Sequence, residues 1–591
     1  MSTTNASEFS SVTYDHLILG GGVGGLTLAA RLSEDPNVTV GVLEAGQHVT
    51  GMPEIDIPGY VGRALGNPAV DWAFFSEPQQ NLDGRKIFLP RGKALGGTSV
   101  LNFMVLTRGN SEEYDSFQDL GNKGWNWDTL LPYLKKSETF TAPPQAVADR
   151  YRIKPDASRH GTTGPVQKTY PVWYPDIHDE FIDTMEWLGI RNNPDPNSGD
   201  NTGVYTATNA IDPKTVTRSS AVTSYYEPNK SRSNLHVLTG AYVTKVILDS
   251  TATPVAATGA QFQHDGKDFV VNAKREVILS AGAFQTPQLL ELSGIGNPKI
   301  LERFGIKTVI DLPSDHSYVP IIQKVTNETL TYEVLADPAV VEEQASLYAK
   351  EKKGMFSSVY AGYAMLPADK FMNRTVRENL SKTLADRESQ ATSVSKQLNL
   401  QRKWFDDPKH AQVEIVHCPC WMPIGNPGEI SPEPNTHYNT LVVALMHPHS
   451  RGSVHINSAV PTTPPAIDPN YFADPIDLEL MVEGVKFVRK AQVTGKLGKN
   501  HIEYVQPAPE VDDDAIRKWI KTYSATLWHP LGTASMLPKA DGGVVGDDLI
   551  VYGTSNLRIV DASALPLQFA THMQTTVYAL AEKAADIIKG A

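Results

Sequence analysis

Residues 14–44 narrow the possible folds more than any other part of the chain. Residues 14–19 are a short apolar run, Gly20-Gly21-Gly22-Val23-Gly24-Gly25 is a glycine turn, residues 26–32 read as an apolar helix, and residues 38–43 are a second β-rich run ending at Glu44. This is a βαβ unit with Gly-x-Gly-x-x-Gly between strand and helix. In such a unit Gly20 allows the tight turn, Gly22 lets backbone approach a pyrophosphate, and Gly25 lets helix and strand pack closely. The N–H groups at the helix start suit an anion. Glu44, nineteen residues beyond Gly25, is placed to accept hydrogen bonds from ribose hydroxyls. The pattern predicts a dinucleotide site and leaves FAD and NAD both open.

With 591 residues, 41% hydrophobic and 20% charged, the chain has material for several domains and a large core. That composition excludes a disordered chain, a fibre and a small disulfide scaffold. A formal charge of −13, with no compensating Lys/Arg cluster, argues against nucleic acid or an anionic membrane as partner. No apolar run approaches the roughly 20 residues of a membrane span. The two cysteines, Cys418 and Cys420, are too close for an easy bridge and lack the second pair of a zinc site, so they read as ordinary thiols. His447, His449 and His455 lie on a strand-like stretch without acidic partners at ligand spacing, and no metal is expected. The first ten residues are polar and carry no apolar leader core, so an intracellular, cytoplasmic protein is expected; a trimmed leader would make it secreted.

Residues 234–248 and 266–281 are strand-like, 283–293 helical, 557–560 a strand and 575–588 a helix. Residues 329–410 differ: they are charged, helical at 340–350 and 376–398, and poor in strands, whereas 441–456 return to strands. The pattern suggests a nucleotide-binding domain built from residues 1–165, 225–315 and 531–591. A second domain, residues 166–224 and 316–530, is inserted into it.

Five further segments carry a specific resemblance. They are Pro90-Arg-Gly-Lys-Ala-Leu-Gly-Gly-Thr-Ser-Val-Leu-Asn102, Gly282-Ala-Phe-Gln-Thr-Pro-Gln-Leu-Leu-Glu-Leu-Ser-Gly-Ile-Gly296, His529-Pro-Leu-Gly-Thr-Ala-Ser-Met536, Asn556-Leu-Arg-Ile-Val-Asp-Ala-Ser563 and the stretch from His572 to Ile588. In order, and over nearly the whole chain, they resemble the signatures of the glucose–methanol–choline (GMC) oxidoreductases, and most of all the fungal aryl-alcohol-oxidase type. The resemblance implies a Rossmann-like FAD domain of the glucose-oxidase-like α/β kind, with an inserted substrate domain on an antiparallel sheet with helices. It implies non-covalent FAD, since the first signature offers Thr98, Ser99, Asn102 and Phe103 where some members tether the cofactor through histidine or cysteine. Gly96 and Gly97 let backbone pass close to a flat ring, and Asn102 offers donor and acceptor to a flavin edge. Asp561 and Ala562 are implied near the flavin phosphate or ribityl side, and Val243 at the adenine side.

By the same resemblance, His529 is the base that takes the alcohol proton while hydride goes to flavin N5. His572 is the donor to the oxygen as it becomes alkoxide-like. Phe103 and Trp528 would wall the pocket. The expected activity is oxidation of a primary alcohol, aromatic or allylic, to the aldehyde, with O2 or another acceptor taking the electrons, in secondary metabolism if the protein is intracellular. The alternatives are a lyase of hydroxynitrile-lyase type or a flavin photodecarboxylase on the same fold, or an FAD-dependent sugar or choline dehydrogenase. The sequence departs from the family at Leu312-Pro-Ser-Asp-His316, about six residues shorter than usual, at Thr98-Ser99 in place of Ser-Ser, and at Leu106, where an aromatic is common.

Overall fold

The computed structural model describes residues 5–309, 319–326, 328–387, 395–422, 431–508 and 511–590. The shortened segment at 312–316 lies outside the described residues. Thr13–Leu19 (β1), Val23–Leu32 (α1) and Val40–Leu43 (β2) form the βαβ unit. All of β2, and all of β1 after Thr13, is buried. Strands covered on both faces read as unbroken apolar runs, which makes this unit visible in the sequence. Next come α2 (Ser111–Asp119) and β3 (Gly203–Thr206), then β4 (Leu235–Leu238), β5 (Tyr242–Asp249), β6 (Ala256–His264) and β7 (Lys267–Leu279). Beyond α3 (Gly282–Leu292) lie β8 (Val319–Val325), α4 (Pro338–Glu351), β9 (Gly362–Leu366), α5 (Arg374–Asp386) and α6 (Ser395–Asp406). They are followed by β10 (Val413–Cys418), β11 (His437–Leu445), β12 (His501–Gln506), β13 (Leu557–Ile559) and α7 (Gln574–Lys589).

Two sheets organise the molecule. The first runs β4-β2-β1-β7-β13 in parallel. Its long strand β7 serves two purposes: Asn272–Leu279 pair with β1, while the first half pairs antiparallel with β6, which in turn pairs with β5. The strand-like run at 234–248 therefore divides. β4 extends the parallel sheet and β5 belongs to the antiparallel flap, with Gly240 at φ +69° between them. The second sheet, β12-β8-β11-β10-β9-β3, is antiparallel throughout. Its strands come from residues 203–206 and 319–506, those of the first from 13–43, 235–279 and 557–559. Each sheet has its own buried apolar cluster. The helical stretch expected over 376–398 ends at Asp386, and α6 starts at Ser395.

α7 lies against α1. Glu582, fully buried in α7, accepts from Arg31 Nε (2.8 Å) and Nη2 (2.8 Å) of α1 and from Tyr225 Oη (2.8 Å). A buried carboxylate is tolerated only with partners of this kind.

Candidate active site

β1 is followed by Gly20, where φ is +111° and a Cβ would stand 2.4 Å from the Ser280 carbonyl oxygen. Only glycine meets both demands. Gly22 is the N-cap of α1 and offers no side-chain cap, so the first N–H groups of the helix have no partner from that source. Gly22, Val23 and Gly24 line a continuous cavity that also reaches Glu44, Val243, Asp561, Asn102, Trp528, His529 and His572. A Cβ on Gly22 would meet no protein atom nearer than Gly97 Cα at 3.8 Å, so the space beside it is open on the cavity side. Gly97 closes the other wall at φ +53°, where its Cβ would fall 2.9 Å from Gly22 Cα.

Buried carboxylates flank this cradle. Glu44 Oε2 accepts from the Gly21 N–H (2.8 Å) and Oε1 from the Gly46 N–H (2.7 Å). Burial pushes its pKa up to about 7 against the pull of those donors. Each oxygen keeps a lone pair for a ribose hydroxyl. Asp561 Oδ2 accepts from the Gly282 N–H (2.9 Å) and Thr286 Oγ1 (2.6 Å), and Oδ1 from the Ser563 N–H (2.8 Å). Burial raises its pKa too, and those donors pull it back. An open helix N-terminus, glycine walls and a buried carboxylate beside the turn fit a dinucleotide cofactor.

At the other end of the cavity the rings of His529 and His572 stand 4.8 Å apart, inclined at 65°. His529 follows Trp528, which sits at φ +64°, a left-handed conformation unusual for a large side chain. Arg91 Nη2 donates to the Trp528 carbonyl at 2.5 Å and ties this turn to the first signature segment. His572 stands just before α7, with Nε2 3.0 Å from Glu414 Oε1. Glu414 is fully buried in β10, so a residue of the second sheet orients an imidazole that stands just before α7. Tyr363 meets the His572 ring edge-on at 5.7 Å. Phe103 lies 5.7 Å from Trp528 and 6.3 Å from Tyr360. Cys418 also lines the cavity, while Cys420 Sγ is 3.3 Å from Tyr360 Oη. Burial pushes the Cys420 thiol up to about 12 and Cys418 well above its ordinary value, so both are inert thiols at neutral pH.

Of the residues expected from sequence, Gly20, Gly22, Glu44, Gly97, Asn102, Phe103, Val243, Trp528, His529, Asp561, Ala562 and His572 all border this cavity. Gly25 and Gly96 stand behind the wall. A Cβ on Gly25 would fall 2.0 Å from the Gly20 carbonyl oxygen, and one on Gly96 2.8 Å from Val222 Cγ2. The Asn102 amide is largely committed within the protein. Nδ2 donates to Gln574 Oε1 (2.6 Å), while Oδ1 accepts from Arg218 Nη1 (2.8 Å) and the Met104 N–H (3.0 Å). Glu414, Tyr360, Tyr363 and Arg91 were not expected. For Glu414 a signal existed: one acid inside the apolar strand Val-Glu-Ile-Val-His-Cys, where a buried charge demands a partner.

The reading of His447 and His455 as lacking acidic partners needs correction. His447 Nε2 is 2.8 Å from Glu113 Oε1 and His455 Nδ1 2.7 Å from Glu291 Oε1. Both acids come from remote segments, so local spacing could not show them. Among the described residues no three-ligand cluster includes either histidine or His449.

Two family models, both described as GMC oxidoreductase, match residues 14–313 and 448–581. A dehydrogenase of Monascus purpureus, mpl7, is 34% identical over all of this chain and 98% of its own length. The fold superposes on an FAD-dependent oxidoreductase from Chaetomium thermophilum with a TM-score of 0.89 at 30% identity, covering 98% of this chain and 99% of that one. A fungal aryl-alcohol oxidase gives 0.84 at 26% identity, with 98% of each chain covered. Both ends of the sequence match, the sheets and glycine cradle follow, and the chain belongs to the GMC oxidoreductases, a family of FAD-dependent oxidoreductases.

Proposed function

We infer that this oxidoreductase converts a primary alcohol, aromatic or allylic, to its aldehyde. The observation that carries the reading is the pair of imidazoles 4.8 Å apart at the end of the cavity that begins in the dinucleotide cradle. FAD, when bound, supplies the hydride acceptor, and its electrons pass on to O2 or another acceptor. His529 takes the hydroxyl proton, a task for which imidazole is suited near neutral pH. His572 has Nε2 turned to Glu414; with a proton on both ring nitrogens it donates from Nε2 to that carboxylate and from Nδ1 to the substrate oxygen as negative charge develops there. Phe103, Trp528 and Tyr360 give the pocket aromatic walls that favour a flat, unsaturated substrate and exclude water. The similarity to an aryl-alcohol oxidase supports the same substrate class.

Anaerobic mixing of the yellow holoprotein with a panel of benzylic, allylic and saturated alcohols tests the reading. Bleaching of the flavin by the aromatic and allylic alcohols is expected. A flavin that no alcohol bleaches would favour a lyase or photodecarboxylase on this fold.

A further inference from the structure

Where α2 begins, three ligand-type side chains from two separate stretches of chain meet. Glu112 lies in the first turn of α2, and Asp407 and His410 in the turn after α6. One oxygen of each carboxylate and one imidazole nitrogen lie within 4.8 Å of one another. Asp407 Oδ2 is 3.4 Å from His410 Nδ1, and Glu112 Oε2 is 3.9 Å from His410 Nε2. His410 is 1% exposed, yet neither ring nitrogen makes a hydrogen bond. Buried polar atoms are normally satisfied, so an imidazole of this kind calls for an explanation. The ring is not loose: it stacks on Trp404 at 5.2 Å and 9°. The two stretches are also fixed relative to each other, since Asn110 Nδ2 donates to the Lys409 carbonyl at 2.8 Å.

We propose that Glu112, Asp407 and His410 bind one divalent transition-metal ion of the zinc or manganese kind, clasping α2 to the 407–410 turn. One imidazole and two carboxylates form a donor set that suits such ions. Ligand atoms about 2.1 Å from a tetrahedral zinc stand about 3.4 Å from one another. Asp407 and His410 already have that separation. An imidazole gives one nitrogen to one ion, here Nδ1 beside Asp407; Glu112, 43% exposed, stands 3.9 Å from the ring's other nitrogen, so its carboxylate must swing round to the Nδ1 side to share the ion. The buried imidazole is the fixed ligand and the two carboxylates are the adjustable ones. Lys409 Nζ sits 2.6 Å from Glu112 Oε1 on a side chain 65% exposed. This ammonium is the cation the metal displaces, at small cost for a solvated pair. Trp404 lies between His410 and His447 (4.8 Å from the latter), and the site adjoins Glu113, whose carboxylate faces His447 and receives the Ala570 N–H (3.2 Å) two residues before His572.

The test uses tag-free holoenzyme stripped with a chelator, then titrated with ZnCl2 and separately with MnCl2 by calorimetry, with Tm read in parallel. Expected is one Zn2+ per chain with a Kd below about 100 μM and a rise in Tm. Asp407→Asn should weaken binding at least tenfold, and Lys409→Ala should tighten it severalfold by removing the competing cation. Both residues are surface-accessible, so neither variant threatens the fold. No saturable binding below millimolar metal, or binding that both variants leave unchanged, overturns the proposal.

Discussion

His572 Nε2 and Glu414 Oε1 lie 3.0 Å apart although 158 residues separate them in sequence. The contact crosses from the turn just before α7 to β10, a central strand of the second sheet. It gives the imidazole one orientation, because a ring nitrogen facing a buried carboxylate cannot rotate away without leaving that charge unpaired.

Glu414→Gln keeps the volume and removes the charge. The rate of flavin reduction by alcohol should fall about 10- to 100-fold, as for other residues that orient a functional histidine. FAD content should stay at the wild-type level, and kcat should change more than KM. Anaerobic stopped-flow reads the rate. A purely packing role for Glu414 would instead lower Tm and leave the reduction rate intact.

His529→Ala removes the proposed base and leaves the cradle untouched. Reduction by alcohol should slow by about 10²- to 10⁴-fold, and the residual rate should lose the pH dependence contributed by an imidazole. The protein should remain yellow. Reduction at the wild-type rate would assign proton removal to another group.

The glycine turn was legible because everything it needs is local: a strand, a helix and the residues between them within about 30 positions. The break at Gly240 was not legible, since residues 234–248 carry the same β-branched character on both sides of it and only pairing with β2 or β6 separates them. His529 and His572 were recognisable through segment resemblance, which their own chemistry among 16 histidines would not have supplied. Their supporting groups were out of reach for a physical reason. Glu414, Tyr360 and Tyr363 come from the second sheet, and Glu113 reaches His447 from α2 across 334 positions, so no window of sequence holds both partners. Asn102, which its motif points toward the ligand, borders the cavity and also spends hydrogen-bonding capacity on Gln574, Arg218 and Met104, partners that the motif does not show.

Trp528→Ala tests the aromatic wall. The Trp528 ring contacts Phe103 at 5.7 Å, beside the base. Aromatic pairs contribute about 0.5–1.5 kcal/mol beyond area, so kcat/KM for a benzylic alcohol should fall about 2- to 10-fold relative to a saturated alcohol of similar size. An equal loss for both alcohols would assign Trp528 to positioning of His529 through its left-handed backbone and the Arg91 contact.

Gly22→Ala separates cofactor binding from folding more cleanly than any other change in the cradle. Gly22 has φ −82° and ψ −160°, extended backbone that alanine adopts freely. Its Cβ would meet no protein atom within 3.8 Å, so the cofactor-free fold should keep its Tm and far-UV spectrum. The same methyl projects into the space where backbone must come close to a pyrophosphate. FAD affinity should therefore drop at least about 100-fold, or 2.7 kcal/mol, measured by fluorescence on rebinding to cofactor-free protein. Gly97→Ala makes the contrast: with φ +53° and a Cβ 2.9 Å from Gly22 Cα, it should lower Tm as well as FAD affinity. If Gly22→Ala binds FAD as tightly as wild type, the cofactor does not pass over this turn.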